Sequence, residues 1–79
     1  MAIYIAIRKI DENANTVDYT FGLSEGADGR LRLDKVSGQV SLLQAAPGDH
    51  QNRFYGRAAH KVRKHWEDGE IPDKTCWAS

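Results

Sequence analysis

The feature that most constrains this chain is an alternation of apolar and polar residues that recurs four times in its N-terminal half. Successive side chains of a strand turn to opposite faces, so alternation of this kind prescribes strands with one buried face. Ile3, Ile5 and Ile7 share one side of the first segment, and Tyr4, Ala6 and Arg8 share the other. In the second segment, Val17, Tyr19, Phe21 and Leu23 alternate with Asp18, Thr20, Gly22 and Ser24. Leu31 and Leu33 face in from a third segment, whose Arg30, Arg32 and Asp34 face out, and Val40 and Leu42 face in from a fourth. The pattern predicts strands over about 2–10, 16–24, 29–35 and 39–44.

Turn formers stand between these segments. Residues 11–15 read DENAN, with two asparagines able to take the left-handed backbone conformation. Residues 25–29 read EGADG, and Ser37-Gly38 precedes the fourth segment. Connections this short suit antiparallel neighbours, because a parallel pair needs a crossover of about a dozen residues or more. The expected sheet is therefore a four-stranded antiparallel meander in the order 1-2-3-4.

A helix should follow, over about 50–68. Pro47-Gly48 marks a turn, Asp49 offers a capping carboxylate, and the helix should begin near His50. At about 100° per residue, Phe54, Tyr55, Ala58, Ala59, Val62 and Trp66 fall within roughly 140° of arc, which makes them the core face. Arg53, Arg57, His60 and Lys64 lie opposite, flanked by Lys61 and Arg63. Gly69 is placed to end the helix and Pro72 follows it. The tail, residues 69–79, ends with the apolar pair Cys76 and Trp77, and Ile71 and Trp77 are expected to pack back and cover core left open by one helix. The fold class is thus α+β: a meander with one amphipathic helix on one face and an ordered tail, all within a single domain, 1–79.

Seventy-nine residues suffice for one domain and not for two. Eleven Lys and Arg balance eleven Asp and Glu, so overall charge directs the chain toward neither nucleic acid nor membrane. A single cysteine, Cys76, excludes an internal disulfide framework and any zinc site of several thiolates, and it fits a reducing compartment. The first ten residues lack the basic leader and cleavage site of a signal peptide, and no stretch is apolar enough to span a bilayer. The expected location is cytoplasmic.

Two surfaces are candidates for binding. The first is the helix face carrying Arg53, Arg57, His60, Lys61 and Lys64, which could meet phosphates or an acidic protein surface, set against the plain alternative of a solvated face. Glu67, Asp68, Glu70 and Asp73 follow it, an acidic cluster opposed to the helix dipole. The second is the outer sheet face with Tyr4, Arg8, Arg30 and Arg32, residue types enriched in binding hot spots. His60 and His65 are five apart and so sit on different sides of the helix, unlike an i, i+4 metal pair. No metal, cofactor or catalytic residue is expected; Cys76 reads as small apolar packing and the glycines of SEGADG as turn glycines.

The overall build resembles that of small bacterial immunity and inhibitor proteins, a likeness of architecture that carries no residues across. The expectation is a non-enzymatic protein-interaction module, of inhibitor or immunity type, that acts through a charged surface on a protein partner. The alternative is a nucleic-acid-associated regulator using Arg53, Arg57, Lys61 and Lys64, and a small enzyme on Cys76 or a histidine ranks last. Monomer and homodimer through an edge strand are both compatible with the pattern, the apolar first strand being the candidate edge.

Overall fold

The computed structural model describes residues 4–23 and 29–78. The elements run β1 (Tyr4–Glu12), β2 (Thr16–Gly22), β3 (Gly29–Asp34), β4 (Val40–Gln44), a 3-10 turn (His50–Asn52), α1 (Arg53–Glu67) and β5 (Lys74–Ala78). They form one antiparallel sheet in the order β4-β3-β2-β1-β5, with α1 packed on one face. The meander and its helix are as the alternation prescribes, and the tail adds a fifth strand. Because β5 pairs with β1, placing Trp77 opposite Ile5 and Thr75 opposite Ile7, β1 is interior and, among the described residues, the sheet edges are β4 and β5. An edge at strand 1 is thereby ruled out.

Seven strand residues form the centre of the core: Ile5, Ile7, Val17, Tyr19, Phe21, Leu31 and Leu33, each no more than 1% exposed. Ala58 and Val62 close it from α1, with Phe54, Tyr55, Trp66, Ile71 and Trp77 around the margin. Full burial of each large apolar side chain stabilises by roughly 1.5–3 kcal/mol, so this cluster outweighs any surface contact described below. Tyr19 keeps its polar tip satisfied by donating to the Pro72 carbonyl at 2.8 Å, and burial pushes its phenol up to about 12. That bond ties the segment after α1 to the middle of the sheet.

Local differences from the sequence reading have identifiable causes. β2 stops at Gly22, so Leu23 lies past the strand and is 56% exposed instead of facing the core. A bulge between Lys9 and Asp11 shifts the register of β1, so Lys9 and Glu12 oppose Tyr19 and Val17 and end up on the same side of the sheet. In the β1–β2 loop neither asparagine is left-handed; the Asn13 side chain accepts from the Asn15 and Thr16 amides at 2.8 and 2.9 Å instead. Ile3, Ser24 and the rest of the EGADG loop up to residue 28 lie outside the described residues.

The regular helix starts at Arg53, three residues later than expected, because the chain enters through a 3-10 turn with Gln51 and Asn52 both left-handed (φ 62° and 56°). The Asp49 carboxylate reaches past this turn and accepts from the Phe54 and Tyr55 amides at 2.8 and 3.1 Å. It acts as a remote cap. At the other end Gly69 (φ 80°) and Glu70 donate back to the Trp66 and His65 carbonyls, a Schellman closure that turns the chain toward β5.

Candidate functional site

Helical phase sets Arg53, Arg57, His60 and Lys64 within about 60° of one another, but ring contacts draw the arginines of α1 toward two flanks. Arg57 leans toward β5, where its guanidinium carbon stands 5.1 Å from the centre of the Trp77 ring, and its Nη1 donates to the Arg53 carbonyl at 3.2 Å. Lys61, one turn further along, is half-buried on the same flank. Arg63 leans the other way, 6.0 Å from the Trp66 ring. Of the five helix candidates, Arg53, His60 and Lys64 are exposed, whereas Arg57 and Lys61 are half-buried. The separation follows from the length of arginine, whose stem packs on apolar surface and whose planar head seeks an aromatic face.

Between α1 and β4 lies a groove of about 390 Å³. Its floor is Gln39 and Val40, its helix wall is Tyr55, Gly56, Ala59 and Arg63, and His60, Lys64 and Glu67 stand along the rim. Small residues at two successive wall positions, Gly56 and Ala59, leave it open. Gly56 is the informative one. It sits inside α1, where glycine costs about 0.5–1 kcal/mol relative to alanine, yet nothing lies within 4 Å of where its Cβ would be. Neither packing nor backbone conformation calls for a glycine there.

The strand side of the groove is equally open. β4 pairs with β3 on one edge and, among the described residues, with no strand on the other. Its Val40 carbonyl accepts from the Tyr55 hydroxyl at 3.2 Å, which fixes the outward direction of that peptide group; burial raises the Tyr55 phenol. Residues of an antiparallel strand turn their peptide groups outward alternately, so Leu42 is the next to face the open edge.

Positive charge exceeds negative along the rim. Glu67 is drawn to Arg63 at 3.6 Å, and with both side chains about half exposed (52% and 50%) the pair contributes no more than about 1 kcal/mol. His60 and Lys64 form no ion pair among the described residues.

On the outer sheet face, Arg8, Thr20 and Arg30 stand side by side across β1, β2 and β3, and Lys74 of β5 extends the row beside Arg8. Lys74 joins this face because the tail pairs as a strand, which its local sequence does not signal. Arg32 is held by Asp18 through two bonds, Nε to Oδ1 at 2.8 Å and Nη2 to Oδ2 at 3.1 Å, which raise its guanidinium and commit it to the fold. Tyr4 is exposed at the end of the same face.

At the far end of the inner face the β1 bulge assembles a charged clasp. Lys9 meets Glu12 at 2.6 Å and Asp73 at 2.9 Å, and Lys35 meets the other Glu12 oxygen at 2.6 Å. Lys35 and then Lys9 hold the Glu12 carboxyl down at about 2, and the Lys9 ammonium is raised in return by Glu12 and Asp73. These contacts join the β1–β2 loop, the β3–β4 turn and the segment before β5. His65 serves the same end of the molecule, with Nδ1 at 3.0 Å from Glu70 and Nε2 at 3.0 Å from the Thr75 hydroxyl. Cys76 is half-buried opposite Ala6 on the outer face.

Among the described residues no group of His, Cys, Asp or Glu could hold a metal ion, and no helix is long and apolar enough to cross a membrane. No family model, curated protein or solved structure matches the chain.

Proposed function

We propose that this chain is a non-enzymatic protein-interaction module that takes a segment of a partner protein into the groove between α1 and β4. The observation that carries the reading is Gly56, a helix-interior glycine that weakens α1 and keeps the groove wall open while meeting no packing need. The open edge of β4 adds to it. Natural sheets blunt exposed edges with charge, proline, bulges or short strands; β4 is short and its pairing shifts register past Leu42, but its sequence VSLLQ carries no charge and no proline. The division of the basic residues speaks for a protein partner over nucleic acid, since the leaning Arg57 and Arg63 break the stripe that a phosphate backbone would follow.

Selection from a random library of linear peptides tests the proposal. Peptides enriched on the wild-type chain should lose binding to Gly56→Leu, which fills the groove from a position with no neighbouring atoms to displace. A library that yields no binder, or binders indifferent to Gly56→Leu, defeats it.

A further inference from the structure

We infer that the occupant of the groove is an acidic segment in extended conformation, laid along β4 as an added strand. This rests on the reading of the groove as a docking site and states how the site would recognise its partner. Three observations lead there. First, the outer edge of β4 meets no strand among the described residues, and at its start the Val40 carbonyl accepts from the Tyr55 hydroxyl. An extended segment supplies the matching donors and acceptors; a helix, whose groups are satisfied internally, does not.

Second, the dimensions agree. A strand added at about 4.8 Å from β4 would send alternate side chains toward the helix side of the sheet, where the groove lies. Its volume of about 390 Å³ is within the range of pockets that enclose small ligands, about 300–1,000 Å³. The wall above those side chains is Gly56 and Ala59, so the groove accepts them without displacing anything.

Third, the rim selects charge. Arg63 and Lys64 face a single carboxylate, Glu67, which is already drawn to Arg63. Carboxylates on the incoming segment complete the pairing and cations meet repulsion. The same rim disfavours a second copy of this chain. Two copies joined β4 to β4 about a twofold axis would bring their Arg63 and Lys64 rims together with only Glu67, already drawn to Arg63, to offset them, and β4 itself has no acidic residue.

The test uses the full chain and three synthetic eight-residue peptides, capped at both ends, in which valine alternates with glutamate, lysine or serine. Calorimetric titration should show the glutamate peptide binding at least about tenfold tighter than the lysine peptide, with an advantage that shrinks as salt is added. Lys64→Glu, an exposed substitution whose folding is checked by its urea midpoint, should reverse that order. Methylating the backbone nitrogens of alternate residues in the glutamate peptide should abolish binding, and slowed hydrogen exchange at the Leu42 amide should accompany binding of the unmethylated form. Equal binding of the three peptides, or a preference for lysine, overturns the acidic assignment, and full binding of the methylated peptide overturns strand pairing. Failure of all three peptides overturns the inference, whereas the docking reading itself falls only if the library selection yields no binder sensitive to Gly56→Leu.

Discussion

The indole of Trp66 lies so close over Gly38 that a methyl group on that α-carbon would overlap the ring, while its Nε1–H donates to the Lys35 carbonyl at 2.8 Å. Through this pair α1 is seated on the β3–β4 turn. Gly38 answers two demands at once: its φ of 79° is left-handed, and its missing side chain is the space the ring occupies.

Two glycines of similar backbone conformation separate these demands. Gly38→Ala should destabilise by about 2–4 kcal/mol, the sum of a left-handed alanine and an overpacked contact. Gly48 has nearly the same φ, 77°, but nothing within 4 Å of its Cβ position, so Gly48→Ala should cost only about 1–2 kcal/mol. Urea midpoints of the two variants decide the matter. Equal losses would mean that the contact with Trp66 adds nothing to the backbone effect.

Gly56 predicts the opposite sign. Its backbone is helical and the surrounding space is open, so Gly56→Ala should stabilise the chain by about 0.5–1 kcal/mol. The added methyl group also narrows the groove. A variant that melts higher yet binds selected peptides less well would mark a glycine retained for binding. A gain in stability with unchanged binding would remove Gly56 from the site.

The strands and the helix stripe were legible because each is written in local chemistry: Val17, Tyr19 and Phe21 alternate, and Ala58 and Val62 recur with helical spacing. β5 was not, since only Thr75 and Trp77 face the core and two positions do not make a pattern. The tail was expected to be ordered, but Trp77 alone could not say whether it arrives as a strand. Missing that strand misplaced the sheet edge and hid Lys74.

The binding surfaces were less legible for a different reason. Helical phase places Arg57 near Arg53, but a long side chain chooses its contact from the tertiary structure, and Trp77 lies twenty residues away in the chain. The groove depends on how far α1 stands from β4, a distance that no local pattern encodes. One signal was present: a glycine inside the helical segment, which is a local inconsistency of the kind functional sites produce.

The cap of α1 is testable from a single side chain. Asp49 accepts from two helix amides across a turn that holds Gln51 and Asn52 left-handed, so the carboxylate offsets an unfavourable entry into the helix. Asp49→Ala should destabilise by about 1–2 kcal/mol. Gln51→Gly should recover about 1 kcal/mol by relieving the backbone without touching the cap. Thermal midpoints of the single and double variants give the comparison, and an Asp49→Ala change without effect would show that the amides find other acceptors.

The charged clasp sets the acid limb of stability. The Glu12 carboxyl is depressed from 4.5 to about 2 in the folded chain, so the stabilisation it provides is complete above about pH 4.5 and is withdrawn as pH falls toward 2. Lys9 is shifted upward, so its share is complete below 10.5 and fades only above that value. Glu12→Gln should therefore be less stable than the wild type at pH 6, and the two should converge by pH 2. Added salt should reduce the difference at pH 6. Parallel acid limbs for the two proteins would show that Glu12 does not govern this region.

β5 should prove more important than its five residues suggest. Without residues 74 onward, β1 would become an open edge beside Ile5 and Ile7, His65 would lose the Thr75 hydroxyl, and the core margin covered by Trp77 would be laid open. A domain this small has a margin of only about 5–10 kcal/mol or less, and losing a whole strand ladder consumes most of it. Chains ended at Asp73 should lose cooperative unfolding or associate through the exposed β1. Trp77→Ala keeps the ladder and removes a half-buried ring together with the aromatic face under Arg57, so it should stay folded and lose about 1–3 kcal/mol. Circular dichroism melts and light scattering separate the two cases. A shortened chain that remains monomeric and melts like Trp77→Ala would show that the ring, and not the strand, is what closes the sheet.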